Sequence, residues 1–255
     1  MKERKTHIES PVRESEQQFT FAESVPFTPR KRPSYPILIV IDDGEIDKGE
    51  SHRIRSDAIK IGRSEGDLRF PADAMMSGLH ASIAMEQLLP GSWSWILRDL
   101  NSRHGLFLRC DEANLGAGNE FLISSKRFHF NGPSIRKPSN SSEKLKNVVF
   151  MDESRVCQTW SISLTGYQSP IPELRVPLTK SSVTIGRDAE PFPFIDDLQV
   201  ELKHASIELD RRKNWILKDH NSKNGTWLRV TSVVLDETTT FMLGEQRFIF
   251  KLPSV

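Results

Sequence analysis

The sequence contains little of what marks several common classes of protein. Only two of its 255 residues are cysteines, Cys110 and Cys157, too few for a zinc cluster or a disulfide framework. No apolar run approaches the roughly 20 residues that span a bilayer, and the first residues, MKERKTHIESP, lack the apolar core of a signal peptide. We therefore expect a cytoplasmic protein without a membrane span.

The charge balance and the missing catalytic motifs exclude further classes. The 35 Lys and Arg residues stand against 34 Asp and Glu residues, whereas a surface that coats nucleic acid needs clustered positive charge. The sequence has no P-loop, paired-carboxylate site, metal-spaced His/Cys cluster or nucleophile elbow. We therefore predict no nucleic-acid partner, no enzymatic activity, no cofactor and no metal.

What the sequence does contain is a long internal repeat. The matching segments occur in the same order in both halves, at offsets of 124 and then 120 residues. They are IKIGR at 59–63 and VTIGR at 183–187, HASI at 80–83 and 204–207, WILRDLNSRHGLFLR at 95–109 and WILKDHNSKNGTWLR at 215–229, and RFHF at 127–130 and RFIF at 247–250. Such collinear matches indicate a tandem duplication.

The apolar residues of each repeat alternate as they do in strands. Ile37, Ile39 and Ile41 recur with a period of two, and pairs such as Asn131-Gly132 punctuate the runs as turns. No segment shows a helical stripe of three turns. Many short strands between frequent turns predict an all-β protein with one β-sandwich in each copy.

Composition sets the expected domain limits. Residues 1–33 have few aliphatic side chains and scattered prolines, which predicts a disordered tail. The two sandwiches are predicted at 34–132 and 155–253, and the polar segment 133–154 between them is predicted to be a linker. We call the two sandwich-forming segments repeat one and repeat two.

The combination of Gly-Arg, His-Ala and Asn-Ser-x-x-Gly elements resembles the forkhead-associated (FHA) domain, a β-sandwich whose loops bind phosphothreonine in partner proteins. The resemblance covers both repeats, roughly 200 of the 255 residues. It implies a ligand site in the loops at one end of each sandwich. Phosphothreonine carries close to two negative charges and three strong acceptor oxygens, which a planar guanidinium can bind with two parallel hydrogen bonds.

In repeat one the resemblance implies a phosphate site made of Arg63, Ser77 and Arg103. Gly78 and His104 occupy the positions that contact the peptide main chain. The family usually has Asn at the position of His104, and His104 cannot both donate and accept as an amide does. It also usually has Thr at the position of Leu106. We therefore expect phosphate binding with altered peptide contacts.

Repeat two shows the opposite pattern. Arg187 and Lys223 match the cations of the phosphate site, and Asn224, followed by Gly225 and Thr226, supplies the peptide contact of the family. The serine position, however, is Glu201. Its carboxylate is expected to pair with Arg187 and to repel a phosphate dianion. The resemblance therefore implies an impaired site in repeat two.

Other repeated residues are expected to build the loops rather than to touch a ligand. His80 and His204 are assigned to the loop scaffold, as are Gly105 and Gly225. The pairs Asn101-Ser102 and Asn221-Ser222 are expected to form turns in which the side chains bind nearby backbone.

Two functions remain open at this point. The first is a non-enzymatic adaptor that binds phosphothreonine-containing proteins downstream of Ser/Thr kinases. The second is a phosphorylation-independent interaction scaffold built from degenerate FHA domains. The tail contains Thr20 and Thr28, so another candidate ligand for the site is the chain's own phosphorylated tail. The tail is long enough to reach, because a flexible segment spans roughly 5–6 Å × √n for n residues.

Overall fold

Short strands and tight turns form the described part of the chain, which comprises residues 35–133, 160–165, 174–190 and 197–253 in a computed structural model. These ranges contain no helix, and hence none that is long and apolar enough to cross a membrane. The all-β prediction is confirmed. The predicted tail and nearly all of the predicted linker lie outside the described residues.

Repeat one forms ten strands. Four of them alternate between more and less buried positions, as expected for strands that cover one face of a core. They are β1 (Ile37–Ile41), β2 (Gly49–Arg53), β3 (Ala58–Gly62), β4 (Leu68–Arg69), β5 (Ala81–Leu89), β6 (Ser92–Asp99), β7 (Leu106–Cys110), β8 (Glu112–Leu115), β9 (Glu120–Ile123) and β10 (Lys126–Asn131).

Nine further strands follow in repeat two, and they match all strands of repeat one except β4. They are β11 (Ser161–Thr165), β12 (Leu174–Pro177), β13 (Ser182–Ile185), β14 (Ala205–Leu209), β15 (Trp215–Asp219), β16 (Thr226–Val230), β17 (Ser232–Leu235), β18 (Thr239–Leu243) and β19 (Gln246–Lys251). Residues 191–196, near the position equivalent to β4, are outside the described residues.

The strands form three sheets. A ten-stranded sheet has the order β12-β11-β10-β9-β16-β7-β18-β19-β1-β2. A five-stranded sheet has the order β17-β6-β5-β3-β4, and a four-stranded sheet the order β13-β14-β15-β8. Each sheet therefore contains strands from both repeats.

The two repeats exchange their last three strands, β8–β10 and β17–β19. Strand β8 of repeat one pairs with β15, with Leu115 opposite Trp215. Reciprocally, β17 of repeat two pairs with β6, with Leu235 opposite Trp95. We call the assembly of β1–β6 with β17–β19 sandwich A, and the assembly of β8–β15 sandwich B; β7 and β16 cross from one to the other.

The crossing point lies on a pseudo-twofold axis. Strands β7 and β16 pair antiparallel with Leu108 opposite Leu228, and these two residues are equivalent positions of the repeat. On either side, β7 also pairs with β18 and β16 with β9, again in equivalent registers. An exchange between two similar segments is expected to be symmetric in this way.

Each apolar core is consequently shared. In sandwich A, Ile61 and Leu97 of repeat one pack in the same buried cluster as Phe241 and Phe248 of repeat two. The equivalent cluster in sandwich B joins side chains such as Phe121 and Phe128 to Ile207 and Leu217. Burial of one such side chain stabilises a fold by about 1.5–3 kcal/mol, so either repeat alone lacks a large part of its core.

The sequence predicted one sandwich per repeat, and the strand pairing differs from that. The reason is that the exchanged segments, LFLRCDEANL at 106–115 and TWLRVTSVVL at 226–235, have the same strand pattern. Either set of three exchanged strands can therefore complete either sandwich, and local sequence does not decide between the two arrangements. The limits 34–132 and 155–253 stay a prediction about the sequence segments.

Candidate functional site

Three loops of repeat one meet at one end of sandwich A: 63–67 after β3, 70–80 after β4 and 100–105 after β6. The approach of the first two depends on Gly62, because a Cβ at this position would overlap the carbonyl oxygen of Gly78. Gly186 has the same relation to Leu202 in repeat two. The glycine of the repeated Gly-Arg element is therefore needed to bring the arginine next to the second loop.

Ser77 is held between the two predicted phosphate-binding arginines. Its carbonyl oxygen accepts the Arg63 N–H at 2.8 Å, and its Oγ accepts the Arg103 N–H at 2.9 Å. Because Oγ already accepts a hydrogen bond from the backbone, its own proton is left to donate to an acceptor in the site. This arrangement suits a phosphate oxygen.

The loops at this end of sandwich A carry two arginines. Arg63 and Arg103 are exposed, and neither takes part in a salt bridge among the described residues. One carboxylate is nearby, since Glu65 Oε1 lies 3.8 Å from the position of a Cβ on Gly78. The three loops thus carry two exposed guanidinium groups and two exposed carboxylates, Glu65 and Asp67.

His80 joins the second and third loops from beneath. The Ser77 N–H donates to His80 Nδ1 at 3.1 Å, so Nε2 carries the proton and donates to Gly105 O at 3.1 Å. The ring is fully buried, and this burial lowers its pKa despite the hydrogen bond to Gly105 and the charge of Asp99. A neutral ring is needed here because protonated Nδ1 cannot accept from Ser77.

This arrangement predicts acid sensitivity of the fold. The pKa of folded His80 lies below the value of about 6.5 for an unfolded histidine, so the unfolded state binds more protons between the two values. Its contribution is complete above pH 6.5 and is lost as the pH falls. Thermal unfolding from pH 7.5 to 5 should show a steeper fall of Tm for the natural chain than for His80→Gln. Equal slopes would contradict the assignment.

The side chain of His104 lies mostly inside the protein. Only 9% of its surface is exposed, and its carbonyl oxygen accepts a hydrogen bond from Arg127 Nη2 at 2.9 Å. Burial lowers the pKa of its ring, and the positive charges of Arg103 and Arg127 lower it further. Its predicted contact with the peptide main chain stays a prediction.

In repeat two the equivalent loops lie at one end of sandwich B. The Arg187 N–H donates to Glu201 O at 2.9 Å, and the Glu201 N–H donates to His204 Nδ1 at 3.3 Å. His204 Nε2 lies 3.2 Å from Gly225 O. The backbone scaffold of the two sites is therefore the same.

The side chains of this second site differ from expectation in one respect. The salt bridges among the described residues do not include a pair between Arg187 and Glu201, although the sequence predicted one. The buried Nε of Arg187 has no hydrogen-bond partner in the described part of the chain, and Glu201 and Lys223 are exposed. The carboxylate is thus directed to solvent at the mouth of the site.

Asn224 and Thr226 are both bonded within the protein. Asn224 Nδ2 donates to Gln199 O at 2.9 Å, and Thr226 Oγ1 donates to Asp219 Oδ1 at 2.6 Å. In repeat one the position of Thr226 is taken by Leu106, which is fully buried in the core of sandwich A. The donor amide that the family resemblance assigns to a ligand is therefore engaged with the neighbouring loop.

The turns after β6 and β15 follow the prediction. Asn101 and Asn221 have φ angles of 59° and 58°, in the left-handed region that asparagine tolerates better than most residues. Ser102 Oγ accepts the Gly105 N–H and Ser222 Oγ accepts the Gly225 N–H, each at 3.0 Å. The two serine side chains therefore hold the loops by bonds to nearby backbone, as predicted.

Each site is also supported by an arginine from the other repeat. Arg229 lies against Gly105, and Arg109 lies against Gly225 and donates to Ser222 O at 3.2 Å. Both glycines have positive φ, so a side chain would be strained there as well as obstructed. The supporting role was not predicted, although an arginine recurs at this position in both repeats.

Glu120 makes this support stronger in repeat one. Its carboxylate accepts hydrogen bonds from Arg229 Nη1 at 2.9 and 3.0 Å and from Arg127 Nη1 at 3.1 Å. Arg127 in turn binds the His104 carbonyl. The loop that carries Arg103 is thus tied to an ion-pair cluster across the two repeats. Nothing in the sequence pattern indicates this cluster, since repeat two has Thr240 at the position of Glu120.

Comparisons with known proteins bear directly on these loops. The FHA domain family model matches residues 59–124 and 183–244, two ranges that include the predicted site residues of both repeats. No curated protein matches the chain.

Five chains of solved structures match. One is Mycobacterium tuberculosis EmbR in complex with a low-affinity phosphopeptide, 24% identical over 32% of this chain and 22% of that chain, with a TM-score of 0.19. The matched part therefore spans less than a quarter of the EmbR chain.

Proposed function

Because the chain belongs to the FHA family, whose domains are phosphopeptide-binding modules, we propose that it is a non-enzymatic adaptor for phosphothreonine-containing proteins in a Ser/Thr kinase pathway. The observation that carries the proposal is the geometry around Ser77. A hydroxyl with its proton free to donate lies between two exposed arginines, Arg63 and Arg103, that have no salt bridge among the described residues.

Repeat one is the proposed phosphate-binding repeat. Arg63 would bind two phosphate oxygens through its guanidinium, Ser77 would donate its hydroxyl proton, and Arg103 would add a second charge. Each charge-assisted hydrogen bond is worth about 1.5–3 kcal/mol. Gly78, where a Cβ would lie only 3.2 Å from Ser64 Oγ, is the proposed contact for the peptide main chain next to the phosphate.

The partner is proposed by its chemistry alone: a protein segment that contains phosphothreonine. The chain's own tail is a second source of this group, through Thr20 and Thr28, which lie outside the described residues. If the tail competes, its phosphorylation lowers the affinity of the natural chain for an external peptide, and replacing Thr20→Ala and Thr28→Ala removes this effect.

A phosphorylation-independent scaffold is the alternative, and the loops of repeat two favour it for that repeat. Leu198 is 83% exposed and Leu202 is 53% exposed, on either side of the exposed Glu201. Their equivalents in repeat one are Ala74 and Gly78. An apolar and acidic surface at this end of sandwich B suits an unphosphorylated partner better than a phosphate.

The functional proposal is tested by calorimetry on the full chain. A degenerate phosphothreonine peptide library and the same library after phosphatase treatment are titrated in parallel. The adaptor proposal expects binding of the phosphorylated library only. Equal binding of both libraries would favour the scaffold, and binding by neither would contradict both proposals.

Glu201 gives a prediction for repeat two. Replacing Glu201→Ser removes the carboxylate at the mouth of the site and restores a hydroxyl donor near Arg187. We expect a second phosphothreonine-binding event, weaker than the first, in calorimetric titration. The matched change in repeat one, Ser77→Glu, should abolish the first event. If Glu201→Ser gains no binding, the carboxylate is not what impairs the site.

A further inference from the structure

A groove along the side of sandwich A is separate from the phosphate site. It has a volume of about 440 Å³ and lies between the open edges of two sheets, where β2 ends the ten-stranded sheet and β4 ends the five-stranded sheet. Its lining includes none of the predicted phosphate or peptide contacts. The lining residues are His52, Arg53, Ile54, Arg55, Ser56, Ile59, Asp67 and Leu68.

The floor of the groove is apolar. Ile54 is buried in the core of sandwich A, and Ile59 and Leu68 are partly buried against that core. An aliphatic side chain that entered the groove would therefore continue the core outward. Burial of such a group is favourable by roughly 25 cal/mol per Å² of apolar surface removed from water.

The rim is basic. Arg53 and Arg55 are exposed, and neither has a salt bridge in the described ranges of the chain. His52 lies 3.5 Å from Glu50, and Asp67, the carboxylate of the lining, accepts the Lys60 N–H at 2.7 Å. Two arginines are thus left to attract a partner with negative charge.

The backbone of β2 is available for pairing on its outer side. The Ile54 N–H donates inward to Pro36 O at 2.9 Å. In an antiparallel ladder, the N–H and C=O groups of neighbouring residues point in alternate directions. Those of Arg53 therefore point outward, to an edge that no described strand covers.

At the same register, repeat two keeps the buried aliphatic residue, Leu178, but lacks the basic rim and the open edge. Leu178 N donates to Trp160 O at 2.8 Å, as Ile54 N does to Pro36 O, so the strands are equivalent. The residue next to it, however, is Pro177, which has no N–H to offer at the edge. Thr179 stands where repeat one has Arg55. The edge of sandwich B is closed to an added strand by its sequence, whereas the edge of sandwich A is open.

We propose that the groove between β2 and β4 binds an extended, acidic, unphosphorylated segment of a partner protein. The segment adds a strand to β2, places an aliphatic side chain over Ile54 and Leu68, and places carboxylates next to Arg53 and Arg55. Main-chain hydrogen bonds supply affinity in this binding mode, and alternate side chains supply selectivity. The chain then contacts its partner at two places, with the phosphate site at the end of sandwich A and this groove along its side.

The test uses the full chain and a fluorescently labelled peptide in which Glu and Val alternate, with a Lys and Val peptide as the charge control. Fluorescence anisotropy should show binding of the acidic peptide, weakened by salt. The double variant Arg53→Glu, Arg55→Glu should lower the affinity by roughly tenfold or more, since two charge-assisted contacts become repulsive. Thr179→Glu, the matched change in sandwich B, should have no effect.

Comparison of Arg53→Pro with Arg53→Ala separates strand addition from simple charge attraction, because both variants lose the guanidinium and only the proline variant loses the N–H. Sandwich B carries proline at the same register, so the fold tolerates it, and an unchanged Tm confirms this for the variant. Strand addition predicts that Arg53→Pro loses more acidic-peptide binding than Arg53→Ala, with phosphothreonine-peptide binding retained. Equal binding by Arg53→Pro and Arg53→Ala, binding of the Lys and Val peptide, or binding of phosphatidylserine vesicles in place of the acidic peptide would each overturn the proposal.

Discussion

Cysteines introduced by Ile96→Cys and Val234→Cys should form a disulfide in nearly every molecule. These positions are 138 residues apart in the sequence but lie directly opposite each other on β6 and β17, and facing residues of an antiparallel pair have Cα atoms within the range of a disulfide. Tryptic digestion without reductant should release fragment 70–98 linked to fragment 230–247, detected by mass spectrometry.

The matched control is the pair Ile216→Cys and Val234→Cys. Residue 216 is the equivalent of residue 96 in repeat two, so this pair is adjacent only if β17 pairs with β15 of its own repeat. Cys157→Ser removes one competing thiol. The other, Cys110, can stay, because burial raises the pKa of its thiol to about 11 and keeps it protonated. A disulfide in the control pair, and none between residues 96 and 234, would contradict the exchange of strands between the repeats.

The exchange matters for function because it joins the two ligand sites. Arg229 and Arg109 each support the loop of the other repeat's site. Neither site is therefore made by one repeat alone, although the predicted contacts themselves come from one repeat. This architecture explains how a degenerate repeat can be retained: repeat two supplies β17–β19 and five of the fourteen buried core residues to the sandwich that carries Ser77.

Arg63→Ala should lower the affinity for phosphothreonine peptide by about a hundredfold or more. The substitution removes two parallel charge-assisted hydrogen bonds, each worth about 1.5–3 kcal/mol, and about 1.4 kcal/mol corresponds to a tenfold change in Kd. Isothermal titration calorimetry measures the change. Arg63 is exposed, so the variant should unfold at the same temperature as the natural chain.

Two variants make this result specific. Arg63→Lys keeps the charge but loses the fork of two donors, and should fall between the natural chain and Arg63→Ala. Arg211→Ala removes an exposed arginine from the turn between β14 and β15 and should leave the affinity unchanged. If all three variants bind alike, Arg63 does not bind the phosphate.

Much of the fold was predictable because its signals are local. Alternation over Ile37–Ile41 and the glycine turns predicted strands, and the repeated segments predicted two similar halves. Which sandwich β8 and β17 would join was not predictable, because Leu115 and Leu235 are the same type of residue at equivalent positions of the same alternating pattern. Only the packing of the whole chain decides that Leu235 faces Trp95 and Leu115 faces Trp215.

The candidate site divides in the same manner. Recurring residues such as Gly62 and His80 were found from the repeat, and their geometry gives each a physical reason to recur. The burial of His104 and its tie to Arg127 could not be read from the sequence, because Arg127 belongs to a strand 23 residues away. The groove next to Arg53 was also hidden, since it depends on which strand ends the sheet.

The stoichiometry of phosphothreonine-peptide binding tests the central claim most directly. Calorimetry of the natural chain should give one peptide per chain at the phosphate site, and Arg187→Ala should keep this stoichiometry and affinity while Arg63→Ala loses the event. Two equivalent peptides per chain, or loss of binding in Arg187→Ala with retention in Arg63→Ala, would contradict the assignment of the phosphate site to repeat one.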